Sequence, residues 1–177
     1  VAARADPQSF LPGARSLVFV GMPYPSVFSA DPPDEPQGRM ARYARMRDYH
    51  LTLNERIASL VEWLREQAGE RVRARIFVDA QPLLERAGAR RAGLGFVGRN
   101  TCLIHPEFGS WFVLGGFATE LELPPDREMD PAAGCGDCRA CLDACPTGAL
   151  CAPYELDARK CLSYLTIEHR GDLPDDL

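Results

Sequence analysis

The apolar and polar positions divide the chain into alternating strand-like and helix-like stretches. Ser16-Leu17-Val18-Phe19-Val20-Gly21 is a continuous β-branched and apolar run bounded by turn residues, which predicts a buried strand. Met22-Pro23-Tyr24-Pro25 then leaves the sheet, and Phe28 to Gly38, with Pro32, Pro33 and Pro36 among acidic residues, fits no apolar period and reads as a surface loop. From Arg39 onward Met46, Leu53, Ile57, Leu60, Val61 and Leu64 recur at helical spacings, predicting a long amphipathic helix that ends near Gly69. A crossover leads to a second strand, Ala74 to Asp79, and Pro82 can occupy the first turn of a helix running through Leu83, Leu84 and Ala87 to Gly93. Trp111 to Thr119 reads as a further buried strand, and Asp126 to Gly134, by its Pro, Asp and Gly content, as a linker into a cysteine-rich module.

Composition narrows this picture. The 177 residues suffice for one well-buried domain and a small appended module, with 46% hydrophobic and 25% charged residues. No apolar run approaches the roughly 20 residues of a membrane helix, and the start shows no signal-peptide pattern. The odd number of cysteines, seven, their cluster-like spacing and the absence of a signal pattern together favour a reducing cytoplasm, and the lack of a long apolar run predicts no membrane partner. The net charge of -5 does not advertise nucleic-acid binding, although a basic patch can be local.

The most specific chemistry lies in Cys135-Gly-Asp-Cys138-Arg-Ala-Cys141-Leu-Asp-Ala-Cys145-Pro146. Its C-x-x-C-x-x-C-x-x-x-C-P spacing is the bacterial ferredoxin ligand pattern for 4Fe-4S clusters, in which the fourth cysteine serves a second cluster. Zinc ribbons separate their C-x-x-C pairs more widely, and disulfide frameworks suit small secreted proteins. Two cubanes need eight thiolates. Cys102 lies far upstream and Cys151 sits in an ordinary turn, which leaves Cys135, Cys138, Cys141, Cys145 and Cys161 as candidate ligands. Cys161 falls in an amphipathic run from Arg159 to Leu165 with Asp157 as candidate N-cap. The remaining ligands are expected beyond Leu177, in a longer protein of which this chain is a piece cut at both ends.

Two further features carry alternatives. Asp79 at a strand's carboxyl end stands where ligand crevices form in α/β sheets, or it caps the helix starting at Pro82. Gly93-Leu94-Gly95-Phe96-Val97-Gly98 spells the dinucleotide fingerprint but follows a helix and leads into an extended segment, the reverse of the required context. It is either a tight turn or a backbone platform under a large flat cofactor.

Several blocks in this order resemble the cobalamin-dependent epoxyqueuosine reductases, which complete the queuosine modification at the wobble position of certain transfer RNAs. The blocks begin at Arg4-Ala-Asp6-Pro7 and Leu11-Pro12-Gly13-Ala14-Arg15-Ser16, continue through Tyr24-Pro25, and include Arg42-Tyr43-Ala44 with Asp48-Tyr49-His50. The run from Val78 to Ala87, then Gly93 to Thr101, Gly109-Ser110-Trp111-Phe112 and Cys161 to Glu168 complete them.

The resemblance implies an α+β fold: a nitroreductase-like cobalamin-binding domain over residues 1–125, then a ferredoxin-like 4Fe-4S domain over 126–177. It implies cobalamin and two 4Fe-4S clusters as cofactors. Cys135, Cys138 and Cys141 would hold one cluster, and Cys145 with Cys161 the other, each completed by cysteines outside the chain. Asp79 matches the family's proposed proton donor. Enclosure under an apolar corrin face would raise its pKa, making it an acid at neutral pH. Arg4, Tyr43, His50, Asn100, Thr101 and Ser110 are the implied cofactor contacts, His50 without serving as an axial cobalt ligand, and Ser163 and Arg170 the implied transfer RNA contacts. The implied partners are epoxyqueuosine-containing tRNA and an electron donor such as ferredoxin or flavodoxin, acting on a monomer.

The chain departs from the family pattern at Phe96, Arg99 and Met46, where tryptophan, lysine and glycine are usual. Two rival readings remain: a corrinoid reductive dehalogenase-like reductase, and a non-catalytic ferredoxin-type electron carrier. A pure carrier has no need of a polar pocket at a strand end, so Asp79 and the glycine block weigh against the second.

Overall fold

The computed structural model describes residues 6–24, 40–69, 72–79, 81–130 and 133–173. The expected loop from Phe28 to Gly38 and the candidate Arg4 lie outside the described residues. The chain opens with a short helix, α1 (Pro7–Phe10), capped by the Asp6 side chain, and enters strand β1 (Ser16–Pro23). A 3₁₀ turn (Arg42–Arg45) precedes the long helix α2 (Tyr49–Ala68). Strand β2 (Ala74–Phe77), helix α3 (Glu85–Arg91), the short strands β3 (Phe96–Val97) and β4 (Leu103–Ile104), and strand β5 (Phe112–Thr119) follow.

Three strands form one sheet in the order β1-β5-β2, with β5 antiparallel to both neighbours. β1 and β2 therefore point the same way but do not touch. The expected crossover through α2 exists, and a strand from far along the sequence fills the gap it leaves. Alternation along β1 sends Leu17 and Phe19 to one face and Val18, Val20 and Met22 to the other. On the first face they meet Phe10, Leu11, Phe77, Leu83 and Ala118; on the second, Leu53, Ile57 and Val61 of α2 with Phe117. Helices cover both faces, which is why these strands read as unbroken apolar runs.

The expected helix starting near Arg39 is corrected. Asp48 is the N-cap of α2, its carboxylate accepting the His50 backbone N–H at 2.9 Å, and its chain ends at Gly69 in the left-handed conformation, φ 64°. Met46 closes the preceding 3₁₀ turn, so Tyr43 and His50 do not share a helical face. α3 is also shorter than Pro82 suggested, starting at Glu85, and the reading of Asp79 as its cap fails because Leu84 stands at that position.

The cysteine module holds little regular structure: a turn of helix α4 (Ala140–Asp143), a 3₁₀ turn (Ala158–Lys160) and helix α5 (Leu162–Ile167). Asp157 caps the 3₁₀ turn, accepting from the Arg159 backbone at 3.1 Å, while Cys161 takes the N-cap position of α5. Among the described residues no helix is long and apolar enough to cross a membrane.

Candidate active site and cluster module

Where β1 and β2 end, the chain opens a cleft of about 1010 Å³. Its walls come from the turn after β1, the residues before α2, the β2–α3 connection, α3 and the β3–β4 hairpin. Apolar Leu83, Leu84, Val97 and Phe112 alternate there with polar Tyr24, Tyr43, Thr101 and Ser110.

Asp79 stands on this wall two residues beyond β2. Its backbone sits at φ 59°, in the left-handed region that aspartate tolerates better than most residues. Packing on either side holds it there: Phe77 is 1% exposed and Leu83 is 4% exposed. Tyr49 donates its hydroxyl to Asp79 Oδ2 at 3.0 Å, and His50 Nε2 lies 3.4 Å from the same oxygen. On its other side His50 Nδ1 stands 2.8 Å from Asp48 Oδ1, and its ring stacks on Tyr49 with centroids 4.0 Å apart. The cap that starts α2 thus also aims an imidazole at Asp79. The His50 ring is the first cause, and its backbone N–H the next, of an Asp48 carboxyl held below the usual carboxylate range. Burial, then the neighbouring Asp79 carboxylate, push the Tyr49 hydroxyl well above an ordinary phenol, so it acts here as a donor. The Asp79 carboxylate itself is 66% exposed, so the enclosure expected to make it an acid is not supplied by these walls alone.

The other candidates divide. Tyr43, Thr101 and Ser110 line the cleft; Asn100 does not, and its side chain instead accepts from the Cys102 backbone at 3.1 Å to shape the hairpin. Thr101 is held at φ 65°, and Arg86 donates to its carbonyl. Ser163 and Arg170 are exposed on the cysteine module, away from the cleft lining. The glycine block takes the tight-turn reading. Gly93 is at φ 78°, and a side chain at Gly95 would collide with the Ile104 carbonyl across the hairpin.

Sequence reasoning passed over three residues. Tyr24 lines the cleft, its ring edge-on to Trp111 with centroids 6.1 Å apart, and Arg42 covers the Trp111 ring from 4.2 Å. Arg86 ties α3 to the hairpin. Cys102, set aside as far upstream, lines the cleft as an exposed residue; the chain crowded around it pushes its thiol pKa up, Arg86 opposes this, and Cys141 and Cys161 add to it. Distance along the chain concealed that proximity; Tyr24 at a strand end before a proline was the available signal.

In the cysteine module, Cys138 N–H bonds the Cys135 carbonyl at 3.0 Å in a tight turn. The backbone N–H of Leu150, then those of Thr147 and Ala149, point at the Cys145 sulfur and lower its thiol pKa, favouring thiolate. Cys135 Sγ accepts from the Arg99 backbone at 3.4 Å. All seven cysteines are free, and among the described residues no three metal-ligating side chains converge on one point.

Comparison with known proteins gives a consistent picture. A family model described as "Epoxyqueuosine reductase QueG, DUF1730" matches residues 4–80, and one described as "4Fe-4S double cluster binding domain" matches residues 134–177. An epoxyqueuosine reductase of Xanthomonas campestris pv. campestris is 46% identical over 178 residues, covering 98% of this chain and 49% of that protein. A solved epoxyqueuosine reductase with a tRNA-Tyr epoxyqueuosine-modified stem loop superposes with a TM-score of 0.85 at 36% identity, over 99% of this chain and 46% of the other. The Bacillus subtilis epoxyqueuosine reductase, described with its catalytic aspartate loop swung out of the active site, gives the same TM-score of 0.85 and identity of 36%, over 99% of this chain and 46% of the other. The chain spans about half the length of the relatives it matches.

Proposed function

Because this chain belongs to the epoxyqueuosine reductase family and contains a 4Fe-4S double cluster binding domain, we propose that it forms the catalytic cleft and part of the cluster module of an enzyme that reduces epoxyqueuosine to queuosine in tRNA. The observation that carries this reading is Asp79, bonded by Tyr49 and His50 on the wall of a large cleft beside the cysteine module.

The size and lining of the cleft support cobalamin as its occupant. Its volume lies at the upper end of the roughly 300–1,000 Å³ range of small-molecule sites, with apolar walls for a flat macrocycle and polar groups for its amide edges. Tyr43, Thr101 and Ser110 would meet that edge; Arg4, outside the described residues, and Asn100 remain proposed contacts on the family pattern alone. Residues 1–125 would form the nitroreductase-like domain around the three-stranded sheet, and 126–177 the ferredoxin-like domain. Cys135, Cys138 and Cys141 would serve one cluster and Cys145 with Cys161 the other. The N–H donors at Cys135 and Cys145 suit cluster thiolates.

Removing the epoxide oxygen as water takes two electrons and two protons. When bound, cobalamin and the clusters would supply the electrons, drawn from a donor such as ferredoxin or flavodoxin. The protein's own residues handle the protons. Tyr49 and His50 both contact Oδ2 of Asp79, which leaves Oδ1 to carry a proton to the leaving oxygen. Closure by cofactor and substrate over the exposed carboxylate would exclude water from the site of proton transfer. His50, between Asp48 and Asp79, is placed to pass a replacement proton inward. Ser163 and Arg170 on the exposed module face the solvent from which tRNA would arrive, and a cytoplasmic monomer serves this substrate.

The test is turnover by the complete protein, reconstituted anaerobically with iron, sulfide and cobalamin. Epoxyqueuosine-containing tRNA should yield a nucleoside lighter by one oxygen, read by mass spectrometry. Bound cofactors with no mass change would remove the substrate assignment.

A further inference from the structure

The hairpin loop between β3 and β4 touches the cleft on one side and the cysteine module on the other. Thr101 and Cys102 line the cleft. Arg99, in the same loop, makes three contacts in the opposite direction. Its backbone N–H donates to Cys135 Sγ at 3.4 Å, its Nη2 donates to the Gly136 carbonyl at 2.6 Å, and its carbonyl accepts from the Tyr154 N–H at 3.0 Å. Cys135 and Tyr154 are 19 residues apart (154 − 135), so one residue pins two separate turns of the module. Tyr154 is held at φ 68°, an uncommon conformation for a non-glycine residue, at the point where it reaches Arg99.

We propose that Arg99 is the positioning residue that seats the iron–sulfur cluster bound through Cys135 against the cleft wall and raises that cluster's reduction potential, so that electrons pass to the cleft across the Gly98–Cys102 loop. An N–H aimed at a cluster thiolate stabilises the more negative, reduced cluster; this donor is the Arg99 backbone, so substitution keeps the group and acts through the side chain that holds the loop against the Gly136 turn. The guanidinium adds positive charge on the same side, and its planar fork can hold the Gly136 carbonyl where an ammonium would hold it less firmly. Thr101 and Cys102 lie two and three residues after Arg99 in the same loop, so the clamp that places the cluster also places the cleft wall. This rests on Cys135 as a cluster ligand and does not depend on the tRNA substrate.

The experiment uses the full-length protein with both clusters reconstituted. Iron and sulfide are counted, and each cluster's midpoint is followed by an EPR-monitored redox titration in wild type, Arg99→Ala and Arg99→Lys. In Arg99→Ala one cluster is expected to become harder to reduce, its reduced-to-oxidised ratio at fixed poise falling about tenfold, or about 59 mV for a one-electron couple. The other cluster stays unmoved, and Arg99→Lys, which retains the charge, recovers part of the shift. In the same cluster-loaded protein, amide exchange at Tyr154, whose N–H bonds the Arg99 carbonyl, should accelerate in Arg99→Ala, because the loop loses the guanidinium hold on the Gly136 carbonyl. Unchanged potentials with full iron content, or a shift of equal size in both clusters, would overturn the proposal. Cys135→Ser should lose about half of the eight irons of two cubanes; full retention would remove the premise itself.

Discussion

Phe77 links the stability of the sheet to the geometry of the acid. It ends β2, two residues before Asp79, and is 1% exposed. Its ring meets Phe10 edge-on with centroids 5.9 Å apart and Phe19 at 5.4 Å. Truncating a buried phenylalanine to alanine costs about 3–5 kcal/mol. The two aromatic contacts account for about 1–3 kcal/mol of this, at about 0.5–1.5 kcal/mol each. A domain stable by about 5–15 kcal/mol would be left marginal by Phe77→Ala. Phe77→Leu, keeping most of the apolar volume, should lose mainly the aromatic part and remain folded. Urea unfolding should show a lowered midpoint with an unchanged slope for both variants. Phe77→Leu should also lower kcat while leaving cobalamin affinity nearly intact, because the Asp79 turn loses its anchor. A loss below about 1 kcal/mol for Phe77→Ala would refute the assignment of this ring to the core beneath the site.

Other expectations follow from the same geometry. Tyr49→Phe removes the hydroxyl donated to Asp79 and should lower kcat about tenfold, with the fold intact by circular dichroism. Gly95→Val forces a side chain into the Ile104 carbonyl; a loss of about 1–3 kcal/mol in thermal or urea unfolding, with weakened cobalamin uptake, is expected. Asp48, Glu55, Glu120 and Asp157 are all held below ordinary carboxylate values by hydrogen bonds from His50, Arg47, Arg73 and Arg159 respectively. Their folded pKa values lie below the unfolded ones, 3.8 for the aspartates and 4.5 for the glutamates, so their stabilisation is present above those unfolded values and is lost as pH falls through the folded values. For Asp157 that window runs from 3.8 down to about 2, and Asp157→Asn, which keeps a capping side chain, should flatten the fall in unfolding midpoint there.

The strands were legible because helices bury both faces of the sheet, leaving Ser16 to Gly21 and Phe112 to Thr119 as continuous apolar runs. Their order was not legible. Local pattern cannot say that β5 would enter between β1 and β2, since pairing is decided by packing across some 40 to 100 residues of chain. The start of α2 was hidden because Met46 happens to fit the apolar period and so masks Asp48, the N-cap that actually begins the helix. Asp79 was found from its position after a strand; its strained backbone and its bonds to Tyr49 and His50 needed the fold. Cys102 was lost by counting along the sequence, although the hairpin returns it to the cleft.

The measurement that tests the central claim is single-turnover reduction of epoxyqueuosine tRNA by wild type and Asp79→Asn, at equal cobalamin and cluster loading. Asparagine tolerates the φ of 59° and preserves the shape of the turn, so it removes the transferable proton and little else. The account predicts intact cofactor binding with turnover reduced about 10²–10⁴-fold, the range of general acid catalysis. Turnover within a few-fold of wild type would contradict Asp79 as the acid and the cleft chemistry built on it.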